Sequence, residues 1–119
     1  MAMKFDKLRR DEQLSPRQLK RMQALMLLQE RWLLVVVHAL MDGPLGFNEL
    51  SREAACMINN TTLSQRLDLL EQCGIVKRTM HSAIPPRTSY ELTSSGRALK
   101  SVLEAVDKWA DKHIPDDFC

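Results

Sequence analysis

Leu63, Leu67 and Leu70 fall at i, i+4 and i+7 and mark one buried stripe of a helix, while Thr61, Ser64, Gln65 and Asp68 project from its other face. Short hydroxyl, amide and carboxylate side chains presented on a helix are suited to hydrogen bonding with base edges in a DNA major groove. The competing reading is an ordinary solvated face. Asn59 and Asn60 are helix-capping types just ahead of this segment, and the amides of its first turn suit a phosphate. Thr62 belongs to that first turn. Arg66 lies toward the edge of the leucine stripe, where a salt bridge to a neighbouring helix competes with a phosphate contact.

A second group of candidates lies C-terminal to Gly74. Residues 75–80 and 88–92 read as two paired strands joined by a loop at residues 81–87, in which Pro85 and Pro86 fix φ and remove amide donors. Arg87, held out on that stiff tip and followed by Thr88, suits a phosphate or the minor groove better than internal packing. Arg78 and Lys77 assist from the strand. The candidate DNA-contact set is thus Asn60, Thr61, Thr62, Ser64, Gln65, Arg66, Arg78, Arg87 and Thr88.

The surrounding elements must hold a helix and a hairpin side by side. Ser15 followed by Pro16 starts a helix that runs to about Leu28. A second helix is predicted over residues 30–41, with Trp32, Leu33, Val36, Val37 and Leu40 on a wide buried face, ended by Asp42, Gly43 and Pro44. Residues 47–54 form a short helix with Phe47 and Leu50 inward, and Met57 and Ile58 make the turn before the recognition helix of residues 60–73. Gly74 stops that helix. After the hairpin, Thr93 caps a last helix that tolerates Gly96 in its first turn and repeats Leu99, Val102, Leu103, Val106, Trp109 and Ala110 at helical spacing. That stripe outruns one small core, so Leu99, Val102, Leu103, Val106 and Trp109 are expected at the seam with a second copy; the alternative cover is the chain's own first helix. The whole is a mainly α chain with a small β-hairpin wing. It spaces its elements as a winged helix-turn-helix, with helical dimerisation elements at both ends: a basic flexible arm at 1–15, the domain at 16–114 and a tail at 115–119.

Charge and composition set limits. The net charge of the 119 residues is only +2, but the first 21 hold seven cations against three carboxylates, a local +4 that leaves −2 for the remainder. That arm either contacts the DNA backbone or is simply solvated. Cys56, Cys73 and Cys119 have neither CxxC nor His-paired spacing, which opposes a disulfide framework or a zinc site. His38, His81 and His113 are too scattered to be ligands, and no serine or cysteine has an ordered base and acid beside it, so no enzyme, metal or cofactor is expected. No apolar run spans a membrane and none resembles a signal segment, so a cytoplasmic protein is expected.

Four blocks, RWLLVVVHAL, GPLGFNEL, TLSQRLDLLEQCGIV and PPRTSYELTSSG, resemble in order the signature of the HxlR-type bacterial regulators, relatives of the MarR proteins. The resemblance covers residues 30–113. It implies a homodimeric transcriptional regulator bound to double-stranded DNA, with the recognition helix in the major groove and the wing, residues 81–88, on the backbone or minor groove. A winged helix used for protein–protein interaction without DNA binding is the alternative. Two positions depart from the family. Its redox- and electrophile-sensing members carry a cysteine ahead of the Lys/Arg-Trp pair, and residues 18–23 here have none; Gly46 stands where a basic residue is common. The resemblance admits a small-molecule effector, and no residue set identifies one.

Overall fold

A computed structural model of the protein describes residues 14–54 and 58–118. Most of the basic arm at 1–15, Cys56, Met57 of the expected turn, and Cys119 lie outside the described residues. The chain divides between Leu33 and Leu34 into two compact units.

The first unit contains helix α1, Pro16–Leu28. Its start is the predicted one: Ser15 Oγ accepts from the Gln18 N–H at 3.2 Å, and Gln18 Oε1 accepts from the Ser15 N–H at 2.9 Å. The chain then turns, with the Leu33 N–H donating to the Glu30 carbonyl at 3.1 Å. Trp32 takes φ 68, a left-handed conformation costly for a bulky residue, and the Arg31 guanidinium stacks 5.2 Å from its ring centroid. The expected helix over 30–41 is therefore shorter. Helix α2 is Leu33–Ala39, and Trp32 precedes it because a left-handed residue cannot sit inside a right-handed helix.

In the second unit Leu40 closes the predicted apolar face with Val36 and Val37, all buried, and Gly43 leaves the helix at φ 146 as its type allows. Strand β1, Leu45–Gly46, follows and leads into α3, Phe47–Glu53, whose Glu49 carboxylate accepts the Gly46 N–H at 3.0 Å. Helix α4 is Asn60–Gln72. Strands β2, Val76–Ala83, and β3, Pro86–Leu92, form the hairpin, and the sheet order is β1-β3-β2, antiparallel throughout. Val36, Val37, Leu40, Leu50, Ala54, Ile58, Leu63, Leu67, Leu70, Ile75, Val76 and Leu92 make the core. The order helix, short strand, two helices and a protruding hairpin is that of a winged helix.

Two expectations about the C-terminal half are corrected. The hairpin loop is Ile84–Pro85, not residues 81–87: pairing continues through Ser82↔Arg87 and Ala83↔Pro86, past an irregularity between Met80 and Ser82. Pro86 is admitted because it opens its strand, where a missing N–H interrupts the ladder least. The last helix is also broken, into α5, Ser94–Arg97, and α6, Lys100–His113. Gly96 lies in the first of these two pieces. It is buried, and a Cβ there would collide with the Ile75 carbonyl and crowd Leu92, so the position demands glycine where the sequence suggested mere tolerance. Arg97 ties the same turn down by donating to the Leu92 carbonyl at 2.7 Å, and the chain turns at Ala98 and Leu99 before α6 begins.

Candidate nucleic-acid interface

Helix α4 is fixed at both ends. Asn59 caps it, its Oδ1 accepting the Thr62 N–H at 2.8 Å. At the other end Gly74 takes φ 74, the Ile75 N–H donates to the Leu70 carbonyl at 2.9 Å, and the Gly74 carbonyl accepts from Thr93 Oγ1 at 2.6 Å and Ser95 Oγ at 3.0 Å. The exit of α4 is thus tied to the entrance of α5. Between these ends Leu63, Leu67 and Leu70 are buried as expected, which fixes the rotation of the helix about its axis. Asn60, Thr61, Ser64, Gln65 and Asp68 are consequently exposed together, and Thr62 and Arg66 are half-buried at the margin. The polar face deduced from spacing is present as one surface.

The hairpin residues are arranged differently from the sequence reading. Arg87 is exposed but sits in β3 opposite Ser82, one residue pair behind the tip. The tip itself is Ile84, 92% exposed, beside Pro85. His81 Nε2 lies 2.6 Å from Ser89 Oγ across the hairpin. Thr88 is half-buried. A groove of about 620 Å³ runs between the head of α3 and the wing, bordered by Asn48, Glu49, His81, Arg87 and Tyr90 among others.

Arg78 is exposed and has a partner that spacing did not suggest. It stands opposite Tyr90 in the ladder and hydrogen-bonds the phenol, with Asp68 and Glu71 of α4 near enough to act on it. Partial burial pushes the Tyr90 pKa up, Arg78 pulls against that, and the two carboxylates add to the rise, so the phenol is neutral at physiological pH. The cluster links the second half of α4 to the wing. The pairing of these two strands was read from sequence, but the register that sets Arg78 opposite Tyr90 was not.

Among the expected seam residues, Leu99, Val102 and Leu103 are half-buried, while Val106 and Trp109 are 50% and 58% exposed. The Trp109 ring meets only His113 of its own helix as a ring partner among the described residues, at 5.2 Å between centroids. Leu103 and Val106 also border an apolar groove of about 430 Å³ shared with Leu34, Val35 and His38 of α2. Cys73 is exposed at the end of α4, yet partial desolvation holds its thiol above the ordinary value. Among the described residues no His, Cys, Asp and Glu cluster could hold a metal, and no helix is long and apolar enough to cross a membrane.

A leucine-seated helix with a polar outer face beside a protruding hairpin defines a helix-turn-helix regulator of the winged type. Residues 27–118 match the HxlR-like helix-turn-helix family, and the chain belongs to it. The HTH-type transcriptional regulator YodB of Bacillus subtilis is 40% identical over 89 residues, covering 75% of this chain and 79% of YodB. The reduced form of YodB superposes with a TM-score of 0.70 at 37% identity, over 85% of this chain and 95% of that one. A MarR-family chain from Porphyromonas gingivalis W83, at 20% identity, superposes with a TM-score of 0.75 over 85% of this chain and 98% of its own, and shares the fold. The family is one of transcriptional regulators, not of enzymes.

Proposed function

We propose that the protein is a cytoplasmic, sequence-specific regulator of transcription that binds double-stranded DNA as a homodimer. The observation that carries this reading is the exposed surface of Asn60, Thr61, Ser64 and Gln65, set on a helix whose rotation three buried leucines fix. Each copy places α4 in a major groove, with Thr62 and Arg66 at its margin, and lays the wing, with Arg87, Thr88 and Arg78, on the backbone or minor groove. The terminal helices α1 and α6 supply the dimer contacts, with Leu99, Val102, Leu103, Val106 and Trp109 on the second of them. Affinity comes chiefly from phosphates and specificity from the neutral side chains of α4.

A gel shift on the DNA upstream of the protein's own gene, repeated across salt concentrations, tests the reading. The expected result is a shift that weakens as salt rises and that competes poorly with unrelated duplex. Absence of any shift on that DNA and on a random-sequence pool overturns it in favour of a winged helix that docks on protein.

A further inference from the structure

Asn60 opens α4 on the exposed face, and its side chain is not free to turn. Ser51 Oγ, on α3, donates to Asn60 Oδ1 at 2.6 Å. The neighbouring Asn59 spends its own Oδ1 on the cap, at the Thr62 N–H. Two adjacent carboxamides therefore have their oxygens engaged within the protein, one as a cap and one by a hydroxyl from the preceding helix. A carboxamide carries its acceptor and its two donors on opposite arms of one plane. Anchoring the oxygen of Asn60 to α3 leaves the NH₂ arm as the part that reaches outward.

This matters for what Asn60 can recognise. An asparagine reads adenine by using both arms at once, the NH₂ toward N7 and the oxygen toward the N6 amine. One lone pair of the oxygen remains, but Ser51 Oγ at 2.6 Å turns that arm toward α3 and away from a base, so the bidentate pose is disfavoured and the NH₂ donor is the arm left to read. We propose that Ser51 is a positioning residue that makes Asn60 a donor contact, directed at oxygen or nitrogen acceptors of DNA and not at the paired N7 and N6 groups that single out adenine. The acceptors of that chemistry are phosphate oxygens, the N7 of either purine, guanine O6 and thymine O4. The inference rests on the DNA-binding reading above and specifies how one residue of that surface works.

The test is a double-mutant cycle on Ser51→Ala, Asn60→Ala and the pair, with Ser51→Thr as the variant that keeps the hydroxyl. Each is titrated with a duplex that the parent selects from random sequence, with the single-base variants of that duplex, and with an unselected duplex. Asn60→Ala is expected to weaken binding about tenfold, as loss of a hydrogen bond to a charged or strongly accepting group does. Ser51→Ala weakens it by part of that factor, the double variant is no weaker than Asn60→Ala, and Ser51→Thr matches the parent. An equal loss on selected and unselected duplex assigns the phosphate; a loss confined to one purine or thymine position, with adenine and guanine not told apart through N7 alone, assigns the base. A Ser51→Ala loss that is the same with and without Asn60 shows that Ser51 merely supports the fold, and overturns the inference. So does a preference for adenine over guanine that disappears in Asn60→Ala, because that discrimination needs the oxygen arm on N6. A parent that binds no duplex overturns the DNA reading together with it, whereas a parent that binds with no coupling between the two positions overturns this inference alone.

Discussion

Gln65 and Arg87 are both exposed, but they differ in charge and in the element that carries them, and so they are expected to fail differently. Gln65 is neutral and on α4, where it can pair both arms of its amide with one base. Gln65→Ala should cost about 1–3 kcal/mol on the preferred sequence and leave the salt slope nearly unchanged. Arg87 carries a charge near the wing tip, so Arg87→Ala should weaken binding to every sequence and lower the salt slope by about one unit. Anisotropy titrations at several salt concentrations separate the two, and identical curves for both variants and the parent would remove both assignments. Cys73 belongs to the same scale. Only the protonated thiol is favoured by its partly desolvated site, and the thiolate is the nucleophile, so raising the pKa slows reaction at neutral pH. A variant that keeps Cys73 and replaces Cys56 and Cys119 by Ser should react with iodoacetamide at pH 7.5 more slowly than the same protein unfolded in urea. Faster reaction in the folded state would make Cys73 a candidate sensor.

The joint between α4, β2 and α5 shows what an element needs beyond its own pattern. Thr93 Oγ1 and Ser95 Oγ hold the Gly74 carbonyl, the Thr93 N–H donates to the Ile75 carbonyl at 2.9 Å, and Gly96 lies against that same carbonyl. Gly96→Ala should therefore lower stability by about 1–3 kcal/mol through overpacking. Urea denaturation measures it, and an unchanged midpoint would mean that the turn shifts at no cost. Sequence showed Gly96 only as a poor helix former, because the atom it must avoid is 21 residues away in the chain. The same limit explains the other differences. Local signals were readable: the leucine stripe of α4, the caps at Ser15, Asn59 and Thr93, and the stop at Gly74 all depend on near neighbours. Strand β1 has two residues and no periodicity to reveal it, and it exists because β3 offers Ser89 and Tyr90 as partners. The hairpin ran further than its composition suggested because ladder pairing at Ala83↔Pro86 outweighs the loop preference of the prolines. At the interface, the exposed face of α4 was legible for the same local reason, whereas the Arg78–Tyr90 and Ser51–Asn60 pairs required tertiary contact.

At the scale of the whole molecule, the proposed seam on α6 connects stability in water with recognition of DNA. Val106 and Trp109 leave half or more of their surface exposed, and Val106 borders the apolar groove beside α2, so a second copy would remove apolar area from water that this chain leaves uncovered. Two copies related by a two-fold axis would present two α4 helices to half-sites about one helical turn apart, and each would raise the effective concentration of the other. Val106→Asp places a carboxylate in that seam without a partner, and Trp109→Ala removes the largest exposed side chain of the helix without adding charge. Sedimentation should show the parent as a dimer at micromolar concentration, Val106→Asp as a monomer, and Trp109→Ala shifted toward monomer. On a duplex carrying both half-sites, Val106→Asp should lose affinity about a hundredfold or more, the scale of lost avidity, while its affinity for a duplex with one half-site changes little. An equal loss on both duplexes would point to damage within the reading unit itself. A parent that sediments as a monomer, or a monomeric Val106→Asp that holds the paired site as tightly as the parent, would end the proposal that two copies read the DNA together.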